Sequence, residues 1–161
     1  LTAYLDDAQG SIPDGDLGLC ENTAVDNVAG YFVPLYKENG IPLSLSLDLP
    51  HDIPVPDTDL CSVLSNLLEN AMEASLRTAP EKRSVQVSAR LRSGNMLLLS
   101  VENSYDGEVR EKNGVFLSSK RPGEGIGLQA VQHTAEKNGG YCRFHYGKGI
   151  FTANVMLRGR A

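Results

Sequence analysis

The sequence predicts an α+β fold: a two-layer sandwich whose mixed, mostly antiparallel sheet is covered on one face by helices. Three observations carry this. Ile41, Leu43, Leu45, Leu47 and Leu49 alternate with Pro42, Ser44, Ser46 and Asp48, the period of a strand with one buried face. Between residues 60 and 76, Leu60, Val63, Leu64, Leu67, Leu68, Ala71 and Ala74 fall on one broad arc of a helix. Strand-like runs follow one another across short turns at 85–101 and 141–157. That calls for antiparallel neighbours rather than the regular strand–helix alternation of a doubly wound sheet.

Taken in order, residues 1–8 read as the tail of a helix, and Gly10-Ser11-Ile12-Pro13-Asp14-Gly15-Asp16 as a linker. Residues 1–18 are therefore assigned to the end of a preceding helix with its linker, and 19–161 to one domain. Val25, Val28, Ala29, Phe32 and Tyr36 mark the buried face of a helix over 21–38. Pro34 predicts a kink or an early end to it, and Gly40 its stop. After the 41–49 strand and a loop over 50–56, Asp57 or Asp59 can cap a helix that runs to Leu76. Strands follow at 85–91 and 96–101, joined near Ser93-Gly94. Residues 105–122 show no periodicity and read as a loop. A helix over 126–137 ends at Gly139-Gly140, and a hairpin turning at Gly147-Lys148-Gly149 closes the chain.

A chain of 161 residues with 41% hydrophobic and 22% charged content is ordinary for a globular domain. Its net charge of −5 gives a nucleic-acid or anionic-membrane partner no general support. Cys20, Cys61 and Cys142 are widely spaced and form no C-x-x-C, which suggests a reducing compartment. They do not pair with His51, His133 or His145 at zinc-ligand spacing. No apolar run approaches the roughly 20 residues that span a bilayer. The chain begins at Leu1, not Met, and shows no signal segment, so it reads as an excerpt of a longer protein.

The chemistry lies in three stretches. In Asn66-Leu67-Leu68-Glu69-Asn70-Ala71, two amides stand one helical turn apart opposite the apolar arc. Asn70 falls at the arc's edge, in a half-buried cleft, whereas Glu69 sits on the solvated face. An amide carbonyl can ligate Mg²⁺ without adding charge beside phosphates. Alone, the pair would more often be a solvated helix face.

In Gly123-Glu124-Gly125-Ile126-Gly127-Leu128, alternating glycines enter a helix whose first N–H groups and dipole favour an anion. Lys120 precedes them as a point charge. No Lys-Ser/Thr follows, so this is not a Walker loop, and no strand precedes it, so it is not a dinucleotide fingerprint. Between the two stretches, Asn103 ends a strand where it could read an adenine edge or simply begin a turn.

In this order the three stretches resemble the N, G1 and G2 boxes of the GHKL superfamily of ATP-binding domains, which includes gyrase, MutL and histidine kinases. Ser118-Ser119-Lys120 ahead of Gly125-Ile126-Gly127-Leu128, with Glu136-Lys137-Asn138-Gly139-Gly140 beyond, is similar to sensor kinases of the peptide-quorum-sensing type. The resemblance covers about residues 21–157 and implies a Bergerat-type fold holding Mg·ATP. It implies Asn70 as the Mg²⁺ ligand and, at Asn66, an amide where hydrolysing relatives carry a glutamate base; an amide cannot take a proton from water.

Asn103 stands where the family's adenine-reading Asp is usual, Tyr105 where a glycine is, and Glu73 where many kinases have a phosphate-facing Lys. The implied ATP site comprises Asn66, Asn70, Glu73, Asn103, Phe116, Ser119, Lys120, Gly123, Gly125, Ile126, Gly127 and Leu128. Residues 105–122 would be the ATP lid, with Phe116 as its latch and Lys120 supplying the charge that Glu73 does not.

The implied reaction passes the γ-phosphoryl group to a histidine on an upstream dimerisation domain. The implied partners are that domain and, through it, a response regulator, within a homodimeric parent. The fragment would be cytoplasmic and the parent an inner- or plasma-membrane protein of bacteria. Two rivals share the fold: an anti-sigma-factor-type serine kinase, disfavoured by the helix tail at 1–8, and a nucleotide-independent interaction module.

Overall fold

The computed structural model describes residues 2–4, 19–93, 95–106, 110–112, 115–117 and 126–159. Among these residues, eight strands and three α-helices run in the order β1 (Thr2–Tyr4), α1 (Thr23–Glu38), β2 (Leu43–Asp48), α2 (Asp57–Leu76), β3 (Val85–Arg92), β4 (Met96–Ser104), β5 (Arg110–Lys112), β6 (Val115–Leu117), α3 (Ile126–Lys137), β7 (Tyr141–Gly147) and β8 (Ile150–Arg158). Six strands form one sheet in the order β1-β2-β3-β4-β8-β7, and β5 pairs with β6 apart from it. Among the described strands, β2 and β3 pair in parallel, joined through α2, and the other pairs are antiparallel.

Alternation decides which face of the sheet meets the helices. Leu43, Leu45 and Leu47 of β2, Val85, Val87 and Ala89 of β3, and Leu97, Leu99 and Val101 of β4 are buried, while Gln86, Ser88 and Arg90 face out. The helices close this face with Phe32 and Tyr36 of α1, Leu60, Val63, Leu64, Leu67 and Leu68 of α2, and Leu128, Val131 and Ala135 of α3. The two-layer, mostly antiparallel sandwich expected from the sequence is the observed one. Tyr36 ties α1 to α2 within the helical layer: fully buried, it donates its hydroxyl to the Leu68 carbonyl at 2.6 Å.

Four local expectations are corrected. Thr2–Tyr4 are a strand, not a helix tail; they pair with β2 and so satisfy an edge that would otherwise expose unpaired backbone groups. The linker assigned to 10–16 lies outside the described residues. Pro34 does not end α1, which continues to Glu38 before Gly40 takes a φ of +65°. Pro34 is exposed, so the carbonyl it leaves unpaired can meet water, while Phe32, Val33 and Tyr36 are buried around it.

Neither Asp57 nor Asp59 caps α2; Pro56 precedes the helix with no side-chain cap. Within the 105–122 segment, Arg110–Lys112 and Val115–Leu117 form a short hairpin where the sequence suggested only loop. The sequence signal for it is Asn113-Gly114, a dipeptide suited to a two-residue hairpin turn.

Candidate functional site

The site is built on α2, the end of β4 and the start of α3. On α2, the Asn66 amide nitrogen donates to the Ser62 carbonyl at 2.8 Å, one turn back. That bond orients the side chain and leaves its Oδ1 toward α3. A Cβ built on Gly127 would lie 3.3 Å from that oxygen, so the first turn of α3 reaches Asn66 closely because residue 127 has no side chain.

One turn further, Asn70 is half-buried, as the helical projection predicts, and its amide has no hydrogen-bond partner among the described residues. Glu69 is exposed and Glu73 half-buried. Leu128, Val131 and Ala135 hold α3 against α2, so the opening turn of α3, with its backbone N–H groups, stands beside Asn66.

Asn103 sits within β4, not at a turn. It occupies the helix-facing row that continues Leu97, Leu99 and Val101, and is 2% exposed. Its amide nitrogen donates to the Ser104 carbonyl at 2.8 Å, so Oδ1 remains the acceptor. Ser104 meets Ser75 of α2 hydroxyl to hydroxyl at 3.1 Å and accepts from the Ser84 amide at 3.1 Å, locking the end of β4 to the last turn of α2.

Among the remaining expected residues, Ser119, Lys120, Gly123 and Gly125 lie outside the described residues. Phe116 lies in β6 and Ile126 opens α3, with only their backbones described. Two supporting residues escaped sequence reasoning. Ser62 is the buttress of Asn66, legible as a hydroxyl residue four positions upstream. Asp59 is the other. It is buried, and its carboxylate accepts from Lys137 Nζ at 3.0 Å and from Asn138 Nδ2 at 3.1 Å, both at the far end of α3. The Asn138 hydrogen bond, then Lys137, hold its carboxyl below the ordinary carboxylate range. No local pattern announces a contact across 78 residues.

A mixed sheet, covered on one face by helices and carrying an asparagine pair on the central helix, defines a Bergerat-type fold. A family model described as the GHKL domain matches residues 56–158, and the chain belongs to that family. No curated protein matches the chain. Among solved structures, the chain is similar to the Acinetobacter baumannii histidine kinase AdeS, with 19% identity over 86% of this chain and a TM-score of 0.61. It spans 64% of the AdeS chain. The catalytic domain of histidine kinase ThkA aligns over 98% of both chains at 16% identity and a TM-score of 0.61. The cytoplasmic segment of histidine kinase QseC aligns over 97% of this chain and 83% of its own at 18% identity and a TM-score of 0.59. At these identities the structural likeness establishes the fold. No helix among the described residues is long and apolar enough to cross a membrane.

Proposed function

We propose that this chain is the Mg·ATP-binding catalytic domain of a bacterial sensor histidine kinase. The single observation that carries the reading is the meeting of Asn66 Oδ1 with the opening turn of α3, where Gly127 leaves room for close approach, one helical turn from a half-buried Asn70 whose amide has no partner among the described residues. These groups fit Mg·ATP. Asn70 offers a neutral oxygen ligand, the α3 N–H groups face phosphate oxygens, and Asn103 Oδ1 accepts from an exocyclic amine such as adenine N6. The bound Mg²⁺ would neutralise charge on the phosphates.

In this reading Asn66 positions and does not activate water. Asn66 is an amide already held by Ser62 and unable to take a proton, so it supplies no general base for hydrolysis. The γ-phosphoryl acceptor belongs, in this reading, to a histidine on an upstream dimerisation domain. A response regulator would receive the group in turn, and the parent would be a membrane-anchored homodimer with this domain in the cytoplasm. The narrower likeness to peptide-quorum-sensing kinases rests on Ser118-Ser119-Lys120 and Glu136-Lys137-Asn138-Gly139-Gly140 alone. With Thr2–Tyr4 in a strand, the helix tail no longer argues against the serine-kinase rival, and an acceptor assay must separate the two.

Calorimetric titration with a non-hydrolysable ATP analogue, with and without Mg²⁺, tests the reading. Binding that Mg²⁺ strengthens and Asn70→Ala weakens supports it. No binding at millimolar nucleotide would replace it with the interaction-module reading.

A further inference from the structure

We infer that Asp59 is a positioning residue for the phosphate end of this site: by gripping Lys137 and Asn138, it fixes where the first turn of α3 meets Asn66. The inference rests on the nucleotide-binding reading.

Asp59 stands in the first turn of α2, where a carboxylate ordinarily serves its own helix, yet no side chain caps that end. Both its oxygens instead cross to the last turn of α3 and the residue after it. α2 and α3 run antiparallel: Asp59 meets Lys137 at one end, and Asn66 meets Gly127 at the other. Ten residues of helix separate Gly127 from Lys137, a rod of about 15 Å.

The far end of that rod has little freedom. Asn138 Nδ2 also donates to the Thr134 carbonyl at 2.9 Å, and the Asn138 carbonyl accepts from the Arg158 amide of β8 at 3.0 Å. Gly139 then turns with a φ of +70°, and a Cβ on Gly140 would overlap the Met156 carbonyl. The chain leaving α3 is thus seated on β8, while Asp59 sets its height on α2. The two bonds differ in weight. Lys137 is 56% exposed and its ion pair is screened, whereas Asn138 is half-buried and its amide has a direction to keep. A shift at this end carries through the rigid helix to Gly127, where Asn66 Oδ1 leaves little room for even a Cβ.

The test compares Asp59→Leu, Asp59→Asn and Lys137→Met in the 161-residue chain. The nucleotide-free arm reads the amide NMR shifts of Gly127 and Leu128. Both should move in Asp59→Leu, less in Asp59→Asn and least in Lys137→Met. Unmoved Gly127 and Leu128 signals in a folded Asp59→Leu, or in Asp59→Asn should the first not fold, overturn the inference. The ligand arm titrates a non-hydrolysable Mg·ATP analogue and adenosine. Asp59→Leu should weaken the analogue about tenfold and adenosine less than about twofold, because only phosphates meet α3. Equal weakening of both overturns the positioning role. If the unmodified chain binds no analogue, the nucleotide reading fails by itself, and the amide shifts still decide whether Asp59 sets α3.

Discussion

Gly127 lies against the side-chain oxygen of Asn66, with 3.3 Å between that oxygen and the place a Cβ would occupy. Ser62 holds the other end of the same amide, so Asn66 has little room to yield. Gly127→Ala is therefore expected to weaken Mg-dependent nucleotide binding about tenfold while leaving Tm nearly unchanged. The strain at Asn66 offsets the ~0.5–1 kcal/mol that alanine gains over glycine in a helix. Calorimetry and thermal melts on the same preparation check both halves.

Gly140 is a different case. Its missing Cβ leaves room for the Met156 carbonyl, which is backbone and cannot swing aside. Gly140→Ala should cost about 2 kcal/mol or more of folding stability, read as a lowered denaturation midpoint, and should do so without nucleotide present.

Asn103→Asp installs the acid that the family resemblance implies at this position and should nevertheless destabilise this chain. The amide nitrogen now donating to the Ser104 carbonyl would become a carboxylate oxygen facing another acceptor, in a residue 2% exposed. A loss of about 1–3 kcal/mol is expected in urea titration, growing as pH rises through the range where the new carboxyl ionises. Equal stability of the two forms would show that Ser104 does not orient residue 103.

Asp59 should contribute to the acid limb of stability. Its carboxyl is held below the ordinary range by Asn138 and then Lys137, so between the two pKa values the unfolded chain binds more protons than the folded one. The contribution is complete above the unfolded value of about 4 and lost as pH falls through the lower folded value. The stability gap between the wild-type chain and Asp59→Asn is thus expected to narrow from about pH 6 to about pH 2 in denaturant titrations.

Tyr36 tests the base limb. Burial pushes its phenol above the ordinary tyrosine range. In the folded chain it should stay protonated where exposed tyrosines ionise, visible as one absent step in an ultraviolet titration. Above about pH 10 the unfolded chain ionises first, so stability falls as pH rises there. Tyr36→Phe should remove this dependence and cost about 0.5–1.5 kcal/mol at neutral pH, through the lost bond to Leu68.

The sequence by itself determined what depends on neighbours along the chain. The leucines of β2 and the apolar arc of α2 fixed strand, helix and buried face. The α3 boundaries followed from where a glycine is tolerated and where it stops a helix, and the half-burial of Asn70 followed from its place at the edge of that arc. Only the tertiary structure decided what depends on partners distant in the chain. Thr2–Tyr4 form a strand because β2 offers an unpaired edge, a demand that short local propensity does not register. Asp59 serves α3 instead of capping α2 because Lys137 and Asn138 arrive from 78 and 79 residues away with donors that fit both carboxylate oxygens. Asn103 points its oxygen where it does because Ser104 claims its nitrogen. Periodicity records which face of an element is buried; the pairing of polar groups across that face is set only once the elements are packed, when a buried donor or acceptor left alone would cost more than the local alternative it gave up.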